Sequence, residues 1–152
     1  MSFSELVFDG CDFQTYNLVD LQAHLDAHQI NALEAYFVPE SPLRSYCTFT
    51  LSLPTLRHSL AQKASHSFVK AKKKITVEGE SLTGWKSLFH SLRILTFGIE
   101  LAQTSALTNF SAANAYWDEL WAAQETDWAT LQARWQPVYN GLSSEFRQVA
   151  PK

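Results

Sequence analysis

Two long amphipathic stretches, joined by a short polar connection, restrict this chain more than any other feature. Over Thr55–Ile75 the residues Leu56, Leu60, Ala64, Phe68, Ala71 and Ile75 recur at spacings of 4, 4, 4, 3 and 4. That is one apolar stripe of an α-helix. Pro54 stands where a first-turn proline belongs, because the amide it lacks would be unpaired there anyway. After the connection at Thr76–Thr83, a second helix from about Gly84 to Ala102 buries Trp85, Leu88, Phe89, Leu92, Leu95, Ile99 and Ala102.

The rest of the chain supplies shorter elements. Leu6–Phe8 and Phe13–Tyr16 are β-prone runs around Asp9-Gly10, a dipeptide suited to a tight hairpin turn. The outer strand of such a pair is an unpaired edge, tolerated because it is short or covered by another element. Asn17 caps a helix through Leu18, Leu21, Leu25 and His28, and Asn31 with Glu34 matches a capping box for Ala32–Phe37, ended by Pro39. Pro39–Pro42 is a loop, and Ser45–Leu53 fits a short strand or an irregular connection. Ser111 caps a helix through Trp117, Leu120 and Trp121. Thr126 or Asp127 caps a last one through Trp128, Leu131 and Trp135, which Pro137 kinks or interrupts. The expected fold is α+β and predominantly α-helical: a small N-terminal β-hairpin followed by a bundle of five to six helices. We read residues 1–152 as a single domain, with 1–53 a β/α lead-in and 54–152 the bundle.

Composition sets the outer limits. An apolar content of 46% with 18% charged residues is that of a soluble globular protein. No apolar run approaches the ~18 residues of a membrane span. The start, Met1-Ser-Phe-Ser-Glu5, has neither the basic nor the apolar part of a signal peptide. The expectation is therefore an intracellular, cytoplasmic protein with no membrane partner, cellular or virus-encoded. Cys11 and Cys47 have no paired spacing and read as two buried free thiols of a reducing compartment, with a disulfide between them as the alternative. The five tryptophans, Trp85, Trp117, Trp121, Trp128 and Trp135, all lie in the second half and read as core.

Charge is sharply segregated. Eight of the twelve Lys and Arg residues fall between Arg57 and Arg93, against only Glu78 and Glu80, in a chain of net charge −3. Such a patch suits an anionic partner. On the first long helix Lys63, Ser67, Lys70 and Lys74 recur at 4, 3 and 4. On the second, Lys86, His90, Arg93 and Phe97 do the same. If the helices pack antiparallel through their stripes, these rows flank one groove of up to six cationic groups and a serine hydroxyl. Arg93 would fork onto two phosphate oxygens and the lysines would act as point charges. Lys72 and Lys73 read instead as solvated cations at a helix C-terminus, where the dipole favours them. His90 has a second reading, a histidine that fixes helix packing through one hydrogen bond.

The run Lys63-Ala-Ser-His-Ser-Phe-Val-Lys-Ala-Lys-Lys-Lys74, followed by Trp85-Lys-Ser-Leu-Phe-His-Ser-Leu-Arg-Ile-Leu95, resembles the C-terminal helical part of predicted nucleotidyltransferases of the polymerase-β-like superfamily. The branch it resembles occurs in RNA-repair contexts and in large viruses. It shows a similar Ser-x-Ser-Phe-x-Lys-Ala helix and then a Lys-x-x-x-His-Ser-Leu-Arg helix. Asp12–Phe37 also looks like the strand and helix that precede them, so the resemblance spans roughly Asp12–Trp117. It implies that Lys70, Lys86, His90 and Arg93 face the triphosphate or nucleic-acid side of a cleft.

The same family needs a Gly-Ser pair to grip triphosphate and an Asp-x-Asp pair to hold two magnesium ions, and this sequence contains neither. Those elements would precede residue 1. Only the third carboxylate has a candidate, Asp12, with Asp9 a poorer one. One carboxylate cannot assemble the two-metal clamp of phosphoryl transfer. The leading expectation is thus a non-catalytic nucleotidyltransferase-like protein that binds a nucleotide, RNA or a protein. It would need no metal or cofactor by itself, and magnesium with a nucleoside triphosphate if it is the helical subunit of a split enzyme whose catalytic half is a separate chain. A third reading is a protein-interaction regulator, of viral or other origin, that presents the acidic Trp-rich half. A protein partner or a second copy would dock on the N-terminal edge strand. His24 and His28, with Asp20 one turn earlier, share a helix face but lack a fourth ligand, so helical coincidence explains them.

Overall fold

The computed structural model describes residues 4–152, and only the backbone of residues 4–6 and 12–14. The fold is predominantly α-helical. It divides into two compact units, Met1–Thr50 and Leu51–Lys152.

In the first unit, strands β1 (Ser4–Phe8) and β2 (Cys11–Thr15) run antiparallel, with Val7 opposite Asp12 and Phe8 opposite Cys11. Asp9 and Gly10 between them take φ of 49° and 75°, the left-handed pair that a two-residue connection of this twist requires. Helix α1 (Leu18–Asp26) is capped by Asn17, whose side chain accepts from the Asp20 amide at 2.8 Å. It stops earlier than its stripe suggests. His28 lies outside it at φ 53°, buried against Phe49, with Nδ1 2.9 Å from the Asp26 carbonyl oxygen.

Helix α2 (Ile30–Phe37) begins with Gln29 as its cap residue. The expected capping box at Asn31 is not used: Asn31 already lies inside the first turn, because the turn at His28 starts the helix sooner. Ser41 caps a 3-10 turn at Pro42–Ser45. The segment after it forms no strand; the Gln22 side chain instead takes both backbone groups of Thr48, at 2.7 and 2.9 Å. Cys47 is a buried free thiol, whereas Cys11 is exposed, contrary to the expectation that both are buried.

In the second unit, helix α3 (Leu53–Thr76) starts at Ser52, which accepts from the Thr55 amide. Its stripe is buried as the spacing predicts at Leu56, Leu60, Ala64, Phe68 and Ala71, while Ile75 at its end is half-buried. A turn with Gly79 at φ 68° leads into helix α4 (Ser81–Thr104), which begins three residues before Gly84. Two glycines set the packing of this pair. A Cβ on Gly84 would collide with the Ile75 side chain, and one on Gly98 would stand 3.1 Å from Leu60 Cδ1. Late residues of α3 thus meet early residues of α4, and the two helices run antiparallel.

Helix α4 is the centre of this unit, packed against α3 and against helices α5 (Asn114–Ala123) and α6 (Trp128–Val149). Ile94, Phe97 and Leu101, off the expected stripe, are therefore fully buried as well. Helix α5 begins at Ala113 rather than at a Ser111 cap. Glu100 organises the connection before it, accepting from the Thr108 amide and hydroxyl at 2.8 and 2.6 Å and from the Asn109 amide. Asp127 caps α6, and Pro137 does not interrupt that helix, which runs on to Val149. Trp85, Trp128 and Trp135 join Phe68, Leu88, Leu92, Leu120 and Leu131 in the core. Trp121 departs from the expected role, being 52% exposed.

Candidate anion-binding site

The antiparallel register brings part of the two predicted rows together. Gly98 opposite Leu60 and Gly84 opposite Ile75 place His90 on α4 about level with Phe68 and Val69 on α3. Lys63 and Lys70, two helical turns apart, bracket that level. The electrostatics agree. His90 is half-buried, and burial, followed by the positive charges of Arg93, Lys63 and Lys70, holds its imidazole down at about 4. Cations from two helices therefore converge on one ring. Among the described residues no carboxylate pairs with Lys63 or Lys70.

His90 is consequently neutral at pH 7, with one ring nitrogen able to donate and the other able to accept. It adds a hydrogen-bonding group to this face and no charge. Ser67 is buried. Phe97 is not part of a polar row: its ring lies in the core, 4.8 Å under the Arg93 guanidinium, and steadies that side chain from below.

Two of the predicted residues do not join this group. The Lys74 ammonium is held by Glu78 and by Glu80, the latter at 3.1 Å, and both hydrogen bonds raise its pKa. The turn after α3 folds its two acids back onto the helix end, and Glu78 also approaches Lys73 at 3.5 Å. Lys86, one turn before His90, lines a different place, a cavity between α4 and α5 with Phe89, Asn114, Trp117 and Asp118. The expected groove of six cationic groups is thus a cluster of three cations around a neutral histidine.

Asp12, the candidate third carboxylate, lies in β2 with its side chain outside the described residues. Asp9 is in the exposed turn between the strands. His24 and His28 do not share a face: His24 packs edge-on to Tyr16 at 5.1 Å, and His28 packs on Phe49 at 5.0 Å. Among the described residues no helix is long and apolar enough to cross a membrane.

The α4/α5 cavity is not legible as a site in the sequence. Its only signal is Asn114, Trp117 and Asp118 at i, i+3 and i+4 on one short helix, a spacing that any amphipathic helix produces. Helix α5 is secured on three sides. Glu100 holds its approach, the Trp85 indole donates to the Glu125 carbonyl at 2.7 Å just past its end, and Arg134 of α6 forks onto Glu119 at 2.6 and 2.8 Å. Comparison with protein-family models, with curated proteins and with solved structures finds no match to this chain.

Proposed function

We propose that this chain is a non-catalytic, nucleotidyltransferase-like protein that binds the phosphate groups of a nucleotide or of RNA on the α3/α4 face. The observation that carries the reading is that Lys63 and Lys70 of α3 and Arg93 of α4 all act on the half-buried His90 ring, adding to the effect of burial in holding its pKa down. Lys63 and Lys70 have no carboxylate partner among the described residues, and two such ammonium groups beside a neutral imidazole suit phosphate oxygens. The resemblance of the Lys63–Lys74 and Trp85–Leu95 runs to nucleotidyltransferase helices is what favours a nucleotide over a simple anion. The absence of Gly-Ser and Asp-x-Asp from the sequence supports binding over catalysis.

The test is thermal unfolding with each nucleoside triphosphate and magnesium, at low and moderate salt. A ligand at a hundred times its dissociation constant stabilises by ~2.7 kcal/mol. The shift should shrink with salt and be lost in Lys63→Glu and Lys70→Glu. No shift with any triphosphate or with single-stranded RNA overturns the proposal. Metal-dependent nucleotide transfer by the purified chain overturns its non-catalytic part. Co-purification with a small protein carrying Gly-Ser and Asp-x-Asp would make the chain the helical subunit of a split enzyme, docked through its N-terminal strands.

A second reading has one observation in its favour. Trp121 is 52% exposed and stacked on Trp117 beside the acidic residues Asp118 and Glu125, and exposed tryptophans concentrate interface energy. That reading makes the chain a protein-interaction regulator, for which Lys70→Glu leaves partner capture unchanged.

A further inference from the structure

The cavity between α4 and α5 has a volume of about 420 Å³ and an unusual lining: two aromatic rings, an ammonium, an amide and a carboxylate. The rings of Phe89 and Trp117 lie 5.7 Å apart at 59° and form an apolar wall, and Trp121 stacks on Trp117 at 5.9 Å. The polar groups come from both helices, Lys86 from α4 and Asn114 and Asp118 from α5. Among the described residues, none of these three side chains makes a hydrogen bond or an ion pair with the protein. Lys86 and Asp118 carry opposite charges at the same cavity, yet they do not pair with each other.

We propose that this cavity is a guanine-base site. The size is within the range of roughly 300–1,000 Å³ usual for small-molecule sites. A planar base would stack against the aromatic wall, as bases do on exposed indoles. The polar set then selects among bases by donor and acceptor pattern. A carboxylate accepts two parallel N–H groups, and guanine alone among the common bases presents two adjacent donors, N1–H and N2–H, on one edge. Its O6 and N7 are acceptors, which match the Lys86 ammonium and the Asn114 amide N–H. Adenine and cytosine each place a ring-nitrogen acceptor beside their amino group, which the Asp118 carboxylate would repel. Uracil offers one donor between two carbonyls.

Lys86 and His90 are one helical turn apart on α4, so a base in this cavity lies next to the cationic cluster. The assignment rests on the nucleotide reading above for its biological sense, but it uses none of Lys63, Lys70 or Arg93.

The test is isothermal titration of the full chain with guanosine, adenosine, guanosine monophosphate and inorganic phosphate. Guanosine, which has no phosphate, should bind roughly tenfold or more tightly than adenosine. Asp118→Asn should abolish that preference without moving the thermal midpoint, because Asp118 is exposed and bonded to nothing among the described residues. Asn114→Ala should weaken guanosine in the same direction. Lys70→Glu should leave guanosine unchanged and remove the extra affinity of the monophosphate. Equal binding of the two nucleosides, or binding of neither, overturns the guanine site even where inorganic phosphate still binds. Guanosine preference with no gain from the phosphate sustains the site and overturns the phosphate reading instead.

Discussion

Protonating His90 should cost the folded protein much of its stability, and the cost should appear in a defined pH range. The imidazole is held at about 4, against 6.5 for the free side chain, by burial first and then by Arg93, Lys63 and Lys70. The unfolded chain therefore takes up a proton near pH 6.5 that the native state refuses until about pH 4. His90 makes its full contribution above about pH 6.5, and that contribution is lost progressively as pH falls toward 4. The interval of 2.5 units at 1.36 kcal/mol each is a ceiling of about 3.4 kcal/mol. The ring is only partly buried, so solvent screening reduces this to about 2–3 kcal/mol.

The assay is urea unfolding of the wild type and of His90→Gln at pH 7.5, 5.5 and 4.5. Glu78 and Asp127, both shifted downward by their hydrogen bonds, also lose stability on acidification, but they do so equally in the two proteins. The difference between wild type and variant should therefore fall by about 2 kcal/mol between pH 7.5 and 4.5. Parallel pH profiles, or an imidazole that titrates between pH 6 and 7 by NMR, would refute the buried, cation-flanked setting of this ring.

Four further outcomes follow from the same structure. Bound phosphate should raise the His90 pKa by offsetting the neighbouring cations, so binding at pH 5 should take up protons, measurable as a buffer-dependent enthalpy. Lys74→Glu should leave triphosphate affinity nearly unchanged where Lys70→Glu abolishes it, because only Lys74 is already held by Glu78 and Glu80. Gly98→Ala would put a Cβ 2.9 Å from Phe146 Cε2 and 3.1 Å from Leu60 Cδ1. Overpacking should outweigh the gain in helix propensity and lower unfolding free energy by about 1–2 kcal/mol in denaturant melts. Pro137→Ala should restore one amide to the interior of α6 and raise stability by about 1–3 kcal/mol, read as a higher urea midpoint.

Periodicity alone determined much of the second unit. The five α3 positions from Leu56 to Ala71 are buried because their spacing allows one face only, and Ser52 and Asp127 cap α3 and α6 through short polar side chains next to a helix start. The same local logic placed Lys63, Lys70, His90 and Arg93 on matching rows. Tertiary structure decided the remainder, since a helical repeat says which residues share a face and not what that face meets. Helix α4 packs against three others, so Phe97 belongs to the core despite its place in a polar row. A turn through Gly79 returned Glu78 and Glu80 to Lys74 and withdrew it from the cluster. The return of α5 along α4 gave Lys86 a cavity with Asn114 and Asp118, partners 28 and 32 residues away in sequence that no local pattern connects to it. His90 carried the largest change: its residue type promised a cation, and the low-dielectric, positively charged place it occupies makes it neutral.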